Sequence, residues 1–313
     1  MKRFVLRRIG LVLVTVWVSS ILIFVATQVL PGDVAKMVLG RFATEEALHN
    51  LREQLGLNRP LIVQYGTWLA DFVRGDWGES LSTGAPVMEL VFGRLRNSVM
   101  LALVAFVMYV PAGILMGLIA ALRQNRMSDH AISIGSLAFI GLPEFVTGVI
   151  LISVFAIKLK WLPASSAINP EAGFLEALPR LILPAMTVCM VGLAYITRMT
   201  RSSTIGVLST DYVRTAYLKG LRPMQVLFRH VLRNALLPTV TVVAIGVGWL
   251  IGGLIVTESL FSYPGLGRLL LFAIQRQDLP LIQATTFLLV SIFCCSNLLA
   301  DIIYAYLNPL IRY

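Results

Sequence analysis

Glu144 is the only ionisable side chain well inside a long apolar run, residues 131–157, and it directly follows Pro143. A proline removes one hydrogen bond from the helix that contains it. A carboxylate in an apolar medium is costly unless it faces water or a partner, or takes up a proton. Glu144 and Pro143 are therefore candidates for a translocation path, with Glu144 facing either a ligand's ammonium group or a structural partner across a helix bundle. A second chemically suggestive stretch is basic: residues 198–233 hold seven Lys and Arg. Cys189, Cys294 and Cys295 all lie in apolar runs. Their odd number, with no C-x-x-C spacing and no histidine cluster, reads as small buried hydrophobes rather than a disulfide framework or metal site. No G-x-x-x-x-G-K-[ST] occurs, so the chain has no P-loop for ATP. No catalytic triad, metal site or carboxylate pair is visible.

These groups must be placed by elements suited to a membrane. The 313 residues are 57% hydrophobic and only 13% charged, with a mean hydropathy of +0.81. Soluble domains carry roughly 25% charge, and one of this length has nowhere to hide so much apolar surface. Five stretches contain no Asp, Glu, Lys or Arg: 9–30, 98–122, 181–197, 236–257 and 279–300. The run 131–157 is a sixth, interrupted only by Glu144. Each is long enough for a membrane helix, which needs about 20 apolar residues, and backbone amides in lipid must be paired within such helices. The expected fold is an all-α polytopic membrane protein with six transmembrane helices. The first run is longer than the roughly 7–15 residues of a signal-peptide core, and no small-x-small cleavage site follows; it reads as an uncleaved span.

Charge sets the expected orientation. With both termini cytoplasmic, the inner pieces hold 14 basic and three acidic residues, and the outer pieces 12 of each. The positive-inside rule favours this arrangement. The net charge of +10 is then a topology signal and a contact with anionic lipid, and nucleic-acid binding explains it poorly. The chain divides into a tail and first span (1–30), an outer segment (31–97), a core of five spans (98–306) and a cytoplasmic tail (307–313).

The outer segment carries its own helices. Thr44 is a plausible N-cap ahead of Glu45 and Glu46, Leu48, Leu51 and Leu55 share one face, and Gly56 suits the stop. Pro60 can open a second helix closed by Gly75. Its Tyr65, Trp68 and Phe72, with Trp77 beyond, suit a surface lying against headgroups. The segment reads as a cap over the spans or as a seat for an external partner. Between residues 258 and 280, a Pro-Gly turn precedes a run, 269–274, too short to span and expected to be re-entrant or interfacial.

Two short helices are written into residues 198–233. The first starts near Ser209 or Asp211 and stops at Gly220, with Tyr212, Ala216 and Lys219 at i, i+4 and i+7. The second opens at Pro223, which a first helical turn tolerates, and runs into the fifth span near Leu236. Arg198, Arg201 and Arg229 read as a basic surface at the membrane edge. Ala216 and Gly220 are small enough for close backbone approach, which a lipid-surface helix does not need.

Here the sequence resembles a known family. Residues 211–221, DYVRTAYLKGL, and 229–238, RHVLRNALLP, resemble the coupling loop of ABC importer permeases, and more narrowly the dipeptide/oligopeptide branch. LPGD at 30–33, LGLNRPLIVQYGTWL at 55–69, RGDWGES at 74–80, GLPEF at 141–145, SYPGLGRL at 262–269 and a terminal NPLIRY extend the likeness over the whole chain. The loop's usual Glu is replaced by Arg214 and its first Ala by Thr215, as is normal in the peptide branch. Leu218 stands where an Ala is usual, and Val34 replaces the Pro that usually follows LPGD.

The resemblance implies a type I importer transmembrane domain in a prokaryotic inner membrane. It implies a second homologous permease subunit, two ABC ATPase subunits that hold ATP and Mg, and an extracytoplasmic solute-binding protein. This chain would itself be non-catalytic and without cofactor. The loop helix, with Asp211, Tyr212, Arg214, Thr215, Ala216, Lys219, Gly220 and Leu221, would seat in an ATPase groove and transmit closure. The solutes expected are dipeptides, oligopeptides or similar small molecules. Other classes are an ion-coupled carrier or channel, disfavoured by the lack of a buried ion relay, and a non-transporting scaffold.

Overall fold

The computed structural model describes residues 2–29, 44–54, 58–167 and 174–307. The LPGD motif, Leu55, Gly56 and the terminal NPLIRY lie outside them. Among the described residues the chain is helical, with a single isolated bridge between Glu79 and Pro86.

The helices are α1 (Lys2–Val29), α2 (Glu45–Gln54), α3 (Leu61–Arg74), α4 (Val87–Leu122), α5 (Met127–Gly141) and α6 (Glu144–Leu151), the last continued by a π-helical turn, Ile152–Lys158. They continue with α7 (Phe174–Leu208), α8 (Asp211–Leu218), α9 (Pro223–Val226), α10 (Leu232–Leu260), α11 (Leu266–Arg276) and α12 (Leu279–Leu307); a π turn, Leu227–Val231, joins α9 to α10. Five helical segments are long and apolar enough to cross a bilayer: α1, α4, α7, α12, and α9–α10 read through as 223–250.

The sixth expected span is broken. Helices α5 and α6 meet at a bend of 112° around Leu142 and Pro143. With 15 residues α5 rises about 22 Å, short of the roughly 30 Å hydrocarbon core. Pro143 ends α5 instead of merely opening one of its hydrogen bonds, because the residue before a proline is forced out of the helical region; Leu142 is extended, at φ −87° and ψ 129°.

Helices overrun the apolar stretches that nucleate them. Helix α4 begins eleven residues before Ser98, after Pro86, and α7 runs eleven residues past Thr197 to Leu208. Hydropathy marks the part in lipid, whereas backbone hydrogen bonding continues until a capping residue or proline stops it. Pro111, Pro179, Pro184 and Pro238 all lie inside helices.

Packing in the bundle rests on close contacts more than on bulk. On α4, Gly113 and Gly117 form a G-x-x-x-G stripe against α7. A Cβ on Gly117 would lie 2.6 Å from both the Thr197 carbonyl and the Thr200 Cβ, and one on Gly113 would lie 2.8 Å from Ile196. Without a hydrophobic drive between helices in lipid, such close approach supplies the association energy. Polar pairs add to it: Thr200 with Thr239 at 3.0 Å joins α7 to α10, and Gln283 donates to Thr27 at 2.8 Å between α12 and α1. Leu13, Leu22, Val107 and Leu115 remain exposed on the outer faces, as lipid contact allows. Cys189 and Cys294 are buried as expected, whereas Cys295 is exposed.

The residues between and beyond the spans sort to two ends. One gathers α8, the 123–126 turn and Asp301, where Arg8 pairs with Asp301 at 2.8 Å. The other gathers residues 76–98, Ser166 and the junction of α10 with α11.

At that second end α3 lies across α1 and α12. Tyr65, Trp68 and Phe72 share one face of α3 and form a ladder of rings with Phe24 and Phe287, while Trp77 stacks on Phe72 at 4.5 Å and on Phe92 at 5.5 Å. The rings expected at the headgroups thus also pack between helices, each of them half-buried. Thr44 does cap α2, accepting from the Ala47 amide at 3.3 Å, and Gly75 closes α3 at φ 88°.

Candidate functional site

Residues 209–235 form a small folded unit at the first end. Thr210, in extended conformation, precedes α8, so the helix starts at Asp211 with its acid in the first turn; the N-cap expected at Ser209 or Asp211 falls between them. Gly220 takes φ 78°, in the left-handed region that glycine adopts without cost. The chain then reverses into α9, with Pro223 at its first position as expected. Val213, Ala216, Val226, Leu227, Val231 and Ala235 make a private core between the two helices and the start of α10. Asn234 donates to the Tyr212 hydroxyl at 2.8 Å, and that hydroxyl donates to the His230 carbonyl at 3.3 Å. The π turn, a rare geometry that recurs at functional sites, leads this unit directly into the fifth span.

This arrangement redistributes the expected contact residues. Ala216 is buried (5% exposed), so its small side chain allows close approach to α9 and not to an external groove. Asp211, Tyr212, Arg214, Thr215, Lys219 and Gly220 are exposed, and Leu221 is half-buried under the unit. The exposed apolar groups are Leu218 at 80%, Met224 at 64% and Phe228 at 65%. Leu218, an apolar side chain at the tip of a helix, has no covering partner among the described residues.

Arg201 was expected at a lipid surface and is instead in an ion pair. Its Nε lies 2.5 Å from Asp129 Oδ1 and its Nη2 2.8 Å from Oδ2. Asp129 is buried and also accepts the Asn125 amide at 3.0 Å and the Ser133 hydroxyl at 3.3 Å. The end of α7 that leads into α8 is thus tied to the start of α5. Arg198 and Arg229 are exposed.

Glu144 sits at the break between α5 and α6, in the first turn of α6. Its Oε1 accepts the Thr257 hydroxyl on α10, and its Oε2 faces Gly253, where a Cβ would come within 3.2 Å. Thr257 is one turn from the end of α10, so the carboxylate stands near the second end of the bundle and not at mid-span. It is half-buried, and Gly141, Leu142 and Pro143 before it are exposed. Among the described residues no lysine or arginine pairs with it.

Two buried carboxylates at this end escape a reading based on hydropathy. Glu258 accepts the Ser98 hydroxyl at 2.5 Å and the amides of Gly267 at 2.7 Å and Arg268 at 3.2 Å, the first turn of α11. Asp278, just past the other end of α11, accepts Ser80 Oγ at 2.6 Å, Ser82 Oγ at 2.7 Å and the Ser82 amide at 3.0 Å. Helix α11 is therefore held at both ends. Its Leu266, Leu269 and Ala273 are buried against α4 and α12, so the run expected to be re-entrant or interfacial is docked by one face on the bundle. Gly265 is required there, because a Cβ would lie 2.0 Å from Glu258 Oε1. The Tyr263 hydroxyl donates to the Asn97 carbonyl at 2.7 Å, and burial, with the Glu258 charge beside it, holds this phenol above its ordinary range. Beneath α11 a cavity of about 310 Å³ opens between Leu95, Val99, Phe106, Leu250, Leu254 and Ile292, which suits apolar groups only.

A broken span, a loop unit leading into a span and a pinned outer helix define a helical transport subunit. The chain belongs to the family of binding-protein-dependent transport system inner membrane components: the family model matches residues 113–313, and the model of its N-terminal part matches residues 1–106. It is 39% identical, over 99% of each chain, to a probable peptide ABC transporter permease protein of Sinorhizobium fredii. It is 36% identical, over the full length of both, to the glutathione transport system permease protein of Escherichia coli. It is 37% identical to the di/tripeptide transport system permease protein of Pseudomonas aeruginosa, over 100% of this chain and 99% of that one. The protein is thus a multi-pass bacterial inner-membrane permease of a binding-protein-dependent importer, a class that works with ATPase and solute-binding partners.

Proposed function

We propose that this chain is one of two homologous permease subunits that import short peptides, driven by a pair of ATPases beneath them. The observation that carries the coupling role is the self-contained unit of α8 and α9. Its own core is satisfied internally, yet Leu218 and Met224 stand out in solvent at the end that the basic residues mark as cytoplasmic. Exposed apolar anchors on a rigid helix are what a groove on a soluble partner recognises. Closure of the ATPases moves the unit, and the continuous path through the π turn passes that motion to α10, while the Asp129–Arg201 pair passes it to α5. ATP and Mg reside on those partners, and this chain supplies no catalytic group. The peptide class follows from the named solutes of the relatives, and delivery by the binding protein is assigned to the α11 end.

The test is Leu218→Asp, which alters an 80%-exposed side chain and leaves the loop core intact. The substituted chain inserts normally, loses copurification with the ATPases and loses ATP-dependent peptide uptake. Normal copurification together with normal uptake would refute the coupling assignment.

A further inference from the structure

We infer that Glu144 is a binding point for a primary ammonium group, and that the group it receives is the amino terminus of the transported peptide. This rests on the reading of the chain as a peptide permease.

The site is built where a span is interrupted. Helix α5 stops at Gly141, so its last carbonyl oxygens have no partner within the helix, and its dipole places partial negative charge there. Helix α6 restarts at Glu144, whose full carboxylate outweighs the partial positive charge of the α6 N-terminus and leaves the break net negative. Interrupted spans that expose free carbonyls are where membrane transporters bind cations.

Glu144 is left incomplete among the described residues. Oε1 accepts the Thr257 hydroxyl, and Oε2 accepts nothing among the described residues. Gly253 opposite carries no side chain to cover that oxygen; a methyl group there would reach to 3.2 Å from it. A half-buried carboxylate with one neutral hydrogen bond and no fixed cation is an unfavourable group, in contrast to Asp129 and Glu258, which are each met by three or more donors. A mobile cation offsets that cost.

The ligand chemistry follows from the count of donors and acceptors. One carboxylate and one hydroxyl do not make a divalent-metal site, and no group of three His, Cys, Asp or Glu occurs among the described residues. A primary ammonium carries three N–H donors and a single charge, which Oε2 and the unpaired carbonyls that end α5 can satisfy in turn. Aminophospholipid headgroups carry the same group, so the lipid is a variable of the test.

The complex, with its ATPases and binding protein, is reconstituted in vesicles of phosphatidylcholine and phosphatidylglycerol, which hold no primary amine. Uptake of trialanine is compared with that of N-acetyl-trialanine, each corrected for its measured affinity for the binding protein. The wild type favours the free amine. Glu144→Gln lowers that preference about tenfold, whereas Thr257→Val, which breaks the same α6–α10 hydrogen bond, keeps it. Equal loss in both variants makes Glu144 a structural stitch and overturns the inference, as does an unchanged preference in Glu144→Gln. An effect seen only after phosphatidylethanolamine is added identifies a lipid ligand and overturns the peptide assignment. Wild-type vesicles that take up neither peptide refute the peptide-permease reading and this inference with it.

Discussion

Arg201 and Asp129 meet through two parallel contacts, at 2.5 and 2.8 Å, although 72 positions separate them in the chain. Asp129 is 1% exposed, and Arg201 keeps 29% of its side chain in solvent. The fork geometry of a guanidinium matches a carboxylate in a way that an ammonium does not. This pair ties the start of α5 to the helix end that carries the loop unit.

Breaking it from one side leaves Asp129 buried and unpaired. Arg201→Ala is expected to destabilise the subunit by about 2 kcal/mol, below the 3–5 kcal/mol of a fully buried pair because Arg201 is partly solvated. Arg201→Lys should recover only part of this, and the Arg201→Ala/Asp129→Ala double variant should be less unstable than Arg201→Ala alone. Thermal unfolding of the detergent-solubilised complex reads the order. Additive effects in the double variant would show that the pair is not coupled.

At the opposite end, Glu258 and Asp278 hold α11 by separate means, so their variants should loosen different places. Glu258→Ala frees the first turn of α11 and the Ser98 hydroxyl, and Asp278→Ala frees Ser80 and Ser82. Each loss leaves a buried hydroxyl without its acceptor, Ser98 in the first variant and Ser80 in the second, at about 1–3 kcal/mol per group. Hydrogen exchange should rise at residues 265–269 in the first variant and at 80–84 in the second, with little crossover. Gly265→Ala should mimic Glu258→Ala, because the added methyl collides with the carboxylate. Exchange that rises equally over the whole end in either variant would show a single cooperative clasp instead.

The α4–α7 contact predicts a third outcome. Gly117→Leu must push α7 away from α4, since even a Cβ meets the Thr197 carbonyl at 2.6 Å. Overpacking of this kind costs about 1–3 kcal/mol or more. Gly93→Leu, on the same helix with open space around it, serves as the control. The expected result is reduced complex yield and a lower unfolding temperature for Gly117→Leu alone.

Much of the fold was legible in the sequence. Apolar runs located the spans because a bilayer imposes a length of about 20 residues on them, and Pro60, Gly75, Gly220 and Pro223 marked turns because their backbone limits are local. What hydropathy obscured was the break at Pro143: the apolar character continues through it, so composition alone predicts one straight span. The G-x-x-x-G at 113–117 was a readable signal for close helix packing that span-finding alone passes over. Ala216 shows the opposite failure, since smallness signals close approach without saying to what.

The sequence by itself determined that the chain is membrane-embedded, helical, without a P-loop motif and equipped with a short helical loop between its fourth and fifth spans, because composition and spacing act over a few neighbouring residues. Only the tertiary structure decided the partners of the charged groups. Asp129, Glu258 and Asp278 found theirs across 72, 160 and 198 positions, and Glu144, among the described residues, remained with a single hydroxyl. Which carboxylate is neutralised and which is left open depends on helices that meet only after the bundle has packed, and local sequence carries no record of that meeting.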